Sequence, residues 1–210
     1  MCFSAKASFI LSGVLALIGL LSIRKVQNKS QLYFASIPYL FALQQFCEGI
    51  LWLILTNQIS PDFKNFMIYM YLFFAFIIWP IWMPFSLIKL ETNNFRKKLL
   101  NLTLITGALN SIYGIYYLML FGATAIAQSC HIIYNVNVQS QLIYTISYLI
   151  AVILPFFITS IKYMWIIGIF LIVSLILSYY IYFKFLISVW CFFSAALSIG
   201  VYWIINNRNK

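Results

Sequence analysis

Residues 31–57 read QLYFASIPYLFALQQFCEGILWLILTN. No Lys, Arg or Asp interrupts them, and Glu48 is their one acid. As a helix rising ~1.5 Å per residue they outspan a hydrocarbon layer of ~30 Å. The stretch therefore reads as a membrane-spanning helix that carries a carboxylate. A charge at that depth costs a few kcal/mol, and it is retained where it faces a bundle interior or a wet cavity beside a partner. Glu48 marks where function is to be sought.

The rest of the chain fits this reading. Of 210 residues, 64% are hydrophobic and 8% charged, with a mean hydropathy of +0.98. A soluble domain carries about 25% charged residues. The composition describes one integral membrane domain over residues 1–210, with the lipid bilayer as its partner. Aromatic residues reach 20%, which suits lipid-facing surfaces and interfacial belts. The net charge of +10 does not indicate nucleic acid: the basic residues fall between apolar runs, where they act as topology signals. Residues 1–6 lead straight into an apolar run with no small-residue cleavage site, so no cleavable leader is expected.

Seven spans are expected, at 7–23, 31–57, 65–88, 99–121, 141–161, 163–183 and 185–206. Only Lys162 and Lys184 punctuate the last three. Residues 163–206 are too long for one crossing, which favours two. Arg24, Lys25, Lys29, Lys89, Arg96, Lys97, Lys98, Lys162, Arg208 and Lys210 then fall on one side, and Lys6, Lys64 and Lys184 on the other. The positive-inside bias puts the N-terminus out and the C-terminus in the cytoplasm. The fold expected is an all-α bundle of seven transmembrane helices.

This topology collects the chemistry-bearing residues in the outer half. Glu48 lies ~13 Å below the outer end of its helix at ~1.5 Å per residue. Gln44, Glu48 and Trp52 share one helix face, and Gln45, Gly49 and Trp52 form the neighbouring stripe. One reading is a wet, ligand-binding pocket with a proton-exchanging carboxylate; the other is a polar cluster that only ties helices together. The single histidine, His131, follows Cys130 in the outer connection between the fourth and fifth spans. It either works with Glu48 as acid and base or sits at the interface alone. Trp190 stands in the first turns of the last span and is a further candidate ligand contact.

Cys2 and Cys130 allow three accounts: a disulfide in an oxidising compartment, a soft-metal site with His131 and Glu48, or inert packing. No CxxC or HxxxH spacing selects the metal. Cys47 and Cys191 read as core. Pro80 and Pro84 should kink the third span and Pro155 the fifth. Several chemistries are excluded by inventory. Lys184 stands at a helix mouth, not at the depth of a Schiff-base lysine. One histidine cannot build a multi-histidine zinc site or a bis-histidine haem. Asp62 stands alone in a loop, so no aspartyl dyad exists.

The opening Met1-Cys2-Phe3-Ser4-Ala5, the Gln44-Gln45-x-x-Glu48-Gly49-x-x-Trp52 segment, Trp79-Pro80-x-Trp82-x-Pro84, Cys130-His131 and Trp190-Cys191-Phe192-Phe193 together resemble an uncharacterised family of bacterial multi-pass membrane proteins. That resemblance implies a bacterial inner membrane and no known reaction. It singles out Cys2, Glu48, Trp52, Cys130, His131 and Cys191 for testing. Three classes of function follow: a membrane protein binding a small ligand or metal ion at Glu48, with His131 as its acid–base partner if it is an enzyme; a proton-coupled transporter titrating Glu48; or a structural or sensory subunit. Oligomeric state and cofactors are not legible.

Overall fold

The computed structural model describes residues 4–128, 130–137 and 140–208. Ser4 opens the first helix, α1 (Ala5–Arg24), by accepting a hydrogen bond from the Ala7 N–H at 3.3 Å, which satisfies one of the orphan donors of the first turn. A short α2 (Lys29–Ala35) leads into α3 (Ile37–Leu55) through Ser36, with Pro38 in the first turn of α3, where a missing N–H costs nothing.

The next crossing is α4 (Lys64–Phe73), a π-helical segment Phe74–Ile78 and α5 (Trp79–Leu90). Pro80 has no N–H to donate to Phe76, so the ladder widens into π turns just before it. The break expected at Trp79–Pro84 is this widening, and the helix continues through it. Asn93 caps α6 (Asn94–Phe121) through a 3.1 Å bond from the Arg96 N–H. Gly122, at φ +69°, ends it.

An antiparallel hairpin follows, β1 (Ala123–Gln128) with β2 (His131–Val136), from Ala123 opposite Val136 to Gln128 opposite His131. The sequence leads one to expect an all-α fold, with this segment the outer connection between the fourth and fifth spans. The strands form because Ile132 and Tyr134 alternate onto one buried face with Ala125. Then come α7 (Gln141–Val152), α8 (Pro155–Ile158) and α9 (Met164–Tyr182), with the helix interrupted ahead of Pro155. A 3-10 turn, Phe183–Phe185, leads to α10 (Leu186–Ala195) and α11 (Leu197–Arg208).

Among the described residues six stretches are long and apolar enough to cross a membrane, and the last of them, Met164–Asn207, has 44 residues. That is about twice the ~20 residues one crossing needs. Within it α9 packs against both α10 and α11, so the chain doubles back at Phe183–Phe185.

The long helices pair as α1 with α3, α3 with α4, α5 with α6 and α6 with α7, while α11 packs on α1. Two apolar clusters fill the interior. One holds Phe34, Phe41, Trp79, Leu87, Phe156 and Ile204; the other holds Leu51, Trp52, Tyr71, Leu118, Ile132 and Tyr134 and lies toward the hairpin. Helix α3 threads both, with Phe41 and Ala42 in the first and Leu51 and Trp52 in the second. Its polar stretch from Gln44 to Glu48 lies between them.

Candidate functional site

Helix α3 contributes Gln44, Gln45 and Glu48 to the interior, all buried, with Glu48 only 2% exposed. Helix α10 supplies the groups facing them. The Ser188 hydroxyl donates to Glu48 Oε1 at 2.5 Å, and Gln44 Nε2 donates to Cys191 Sγ at 3.3 Å. The pairing suits antiparallel helices: going one turn back along α3, from Glu48 to Gln44, matches going one turn forward along α10, from Ser188 to Cys191. Gln44 Oε1 also accepts from Trp79 Nε1 at 2.8 Å. The Trp79 ring stacks on Phe41 with centroids 3.9 Å apart, closing the cluster on the side away from the hairpin.

Other members of the cluster are not satisfied in this way. Gln45 is wholly buried. Its amide lies close enough to Glu48 to bias the carboxylate, yet neither polar atom reaches hydrogen-bond geometry with a described group. Trp52 Nε1 and the Tyr134 hydroxyl are likewise buried without a hydrogen-bond partner among the described residues. Tyr134 stacks on Tyr71, centroids 4.5 Å apart and planes 5° from parallel, and its hydroxyl lies within electrostatic reach of Glu48 and Cys191. In a dry interior each orphaned polar group costs about 1–3 kcal/mol. Donors (Gln45 Nε2, Trp52 Nε1) and acceptors (Gln45 Oε1, Glu48) stand within two turns of each other on α3, and β2 adds the Tyr134 hydroxyl within electrostatic reach of Glu48.

The expected partnership of Glu48 with His131 is not formed. The resolved hydrogen bond of Glu48 comes from Ser188. The His131 ring instead lies against Phe185 and Tyr182, at centroid distances of 4.5 and 5.0 Å. Burial holds that imidazole below its ordinary pKa. Beginning β2 places His131 under the 3-10 turn, so the hairpin carries it to the α9–α10 corner. Trp190 also faces away from Glu48: it turns toward α9, where its Nε1 donates to Ser174 Oγ at 3.2 Å.

Cys130 is disulfide-bonded, while Cys47 and Cys191 are free and buried. Cys2 lies outside the described residues. A thiol held in a disulfide is no thiolate ligand, and among the described residues no three of His, Cys, Asp and Glu gather closely enough to hold a metal ion.

At the end of the bundle opposite the hairpin lies a second buried acid that sequence reasoning passed over. Glu91 Oε1 accepts from the N–H groups of Thr92 and Asn93, both at 2.9 Å, and from Ser160 Oγ at 2.6 Å. Its Oε2 accepts from Thr159 Oγ1 at 2.9 Å and the Ser160 N–H at 2.6 Å. Arg96 completes the knot by donating to the carbonyls of Ile158 and Thr159 at 2.6 and 2.9 Å. Burial alone would raise this carboxyl, but the donors from Ser160, Asn93 and Thr159 outweigh it and bring it down to about 2. It clamps the α5–α6 corner to the α8–α9 corner. Glu91 followed by Thr92, Asn93 and Asn94 was the available signal, a small polar turn able to wrap a carboxylate.

The chain belongs to a family of unknown function, DUF6629, whose model matches residues 1–210. No curated protein and no solved structure matches it.

Proposed function

We propose that this family member is a single integral membrane domain of seven transmembrane helices in a bacterial inner membrane, N-terminus out and C-terminus in the cytoplasm. It receives a small polar ligand at Glu48 in its outer half. The seventh crossing is supported by the doubling back of the chain at Phe183–Phe185. The orientation is supported by the basic residues Arg24, Lys25, Lys89, Arg96, Lys97, Lys98 and Lys162 gathered at the end away from the hairpin.

The observation that carries the binding reading is Gln45. A wholly buried amide beside a buried carboxylate, with neither of its polar atoms in hydrogen-bond geometry among the described residues, supports a recognition role over glue: an interhelical tie would have its hydrogen bonds made. The complementary molecule offers N–H donors to Glu48 and Gln45 Oε1, and an oxygen acceptor to Gln45 Nε2 and Trp52 Nε1. Small amides and primary amines bearing a carbonyl have that character. The seating of His131 on Phe185 favours binding over acid–base catalysis by a Glu48–His131 pair. For Cys130, which is disulfide-bonded, the pairing proposed is with Cys2.

The test is thermal unfolding of the full-length protein against a panel of small amides and primary amines. A true ligand at 100 times its Kd stabilises by about 2.7 kcal/mol. It should raise the melting temperature of wild type and leave that of Glu48→Gln and Gln45→Leu unmoved. A compound that stabilises all three proteins equally, or a panel in which none stabilises wild type, removes the reading.

A further inference from the structure

Helix α7 packs on α5 and α6, and α9 packs on α8, α10 and α11. A cleft of about 800 Å³ runs between these two groups, within the roughly 300–1,000 Å³ of ligand sites. Its hairpin end is rimmed by Lys184, Gln141, Tyr179 and Tyr180. A narrower extension of about 110 Å³ shares the walls Leu149, Leu175, Leu186 and Ile187 and continues to Trp190 and Cys191. The whole is therefore a tapering channel, with a charge at its mouth and hydrocarbon along its length.

We propose that this cleft holds one acyl chain of an anionic phospholipid from the leaflet at the hairpin end, with the lipid phosphate on Lys184. The walls select the chain. A slot faced by Leu, Ile and aromatic rings, in helices long enough to cross a membrane, loses dispersion contacts unless hydrocarbon fills it. Lys184 selects the headgroup. It is exposed on the 3-10 turn, and no acid lines the cleft among the described residues. An ammonium at lipid-headgroup level takes a phosphate as its counter-charge. The Gln141 amide and the two tyrosine hydroxyls at the same rim supply neutral donors to the remaining oxygens. The proposal needs the chain to lie in a membrane and does not need a ligand at Glu48.

The experiment is native mass spectrometry of the full-length protein released from nanodiscs containing phosphatidylglycerol and phosphatidylcholine in equal amounts. Wild type should retain one lipid, with phosphatidylglycerol preferred roughly fivefold, the ratio that ~1 kcal/mol for one basic residue confers. Lys184→Ala, at an exposed position, should keep one lipid and lose the preference. Thr145→Trp, from an exposed residue lining both parts of the cleft, should release the lipid while the melting temperature holds. Glu48→Gln should change none of this, so failure here is separable from failure at Glu48. Equal retention of the two lipids by wild type overturns the proposal, as does a preference surviving Lys184→Ala. A lipid surviving Thr145→Trp, or a dimer that carries no lipid, overturns it as well.

Discussion

Ser188 donates its hydroxyl proton to Glu48 Oε1 at 2.5 Å across the contact between α10 and α3. Both groups are buried, so the bond is made where water does not compete and its loss is felt in full. Ser188→Ala leaves the carboxyl in place without that donor and should destabilise by about 1–3 kcal/mol. Glu48→Gln keeps an oxygen facing the hydroxyl and should cost less. Denaturant titration in mixed micelles orders the two variants. A Ser188→Ala protein as stable as wild type would mean that Glu48 draws its stabilisation from elsewhere.

Gln45 has the opposite signature. Its amide is buried and reaches hydrogen-bond geometry with no group among the described residues, so replacing it with an apolar side chain of similar volume removes a polar group that gains little from the protein. Gln45→Leu should unfold at the same temperature as wild type or higher, by up to about 1–3 kcal/mol of relieved desolvation, while losing response to any ligand that binds at Glu48. Gain in stability with loss of binding is the pattern of a recognition residue. A marked loss of stability would show that the amide holds the bundle together.

Much of this was readable from residue order, for definite physical reasons. Apolar runs of spanning length need no tertiary knowledge, and Glu48 declares itself because hydrocarbon penalises it. Gln44 and Glu48 on one face follow from helical periodicity. Their partners do not. Ser188 is one serine among many until α10 is known to run antiparallel to α3 at this register. Tyr134 enters the cluster only because residues 123–136 fold into a hairpin, a signal of alternation at Ile132 and Tyr134 too short to stand out in so apolar a chain. The same hairpin carries His131 to Phe185 rather than to Glu48. Glu91 was passed over because an acid between spans reads as solvated, and only the meeting of two corners encloses it.

Gly107 faces the α5–α6 contact so closely that a methyl group there would overlap the carbonyl oxygen of Pro80. That oxygen is backbone and cannot swing aside as a side chain would. Gly107→Ala should therefore force α5 and α6 apart and destabilise by at least ~1–3 kcal/mol. At Gly49 the obstructing atoms belong to the Phe9 ring, which can turn away, so Gly49→Ala should cost less. Melting temperatures of the two variants compare them directly, and equal losses would contradict the distinction.

Glu91 makes stability depend on pH in a predictable direction. Its carboxyl moves from an ordinary 4.5 to about 2 in the folded protein. The unfolded chain therefore takes up the proton first as pH falls. The stabilisation is fully present above the unfolded value and is lost between about 4.5 and about 2. Allowing for solvent screening at the edge of the bundle, the amount is on the order of 2 kcal/mol. Glu91→Gln should lower stability at neutral pH by that order and flatten its decline in the acid range. The amide cannot accept at both ends of the group, so the clamp from Thr159 and Ser160 is only half replaced. Unfolding measured at a series of pH values from about 7 down to about 2, across the window in which the linkage acts, should show the two curves converging at the acid end. If they run parallel instead, the carboxylate does not hold the α5–α6 and α8–α9 corners together, and Arg96 on the carbonyls of Ile158 and Thr159 does so without it.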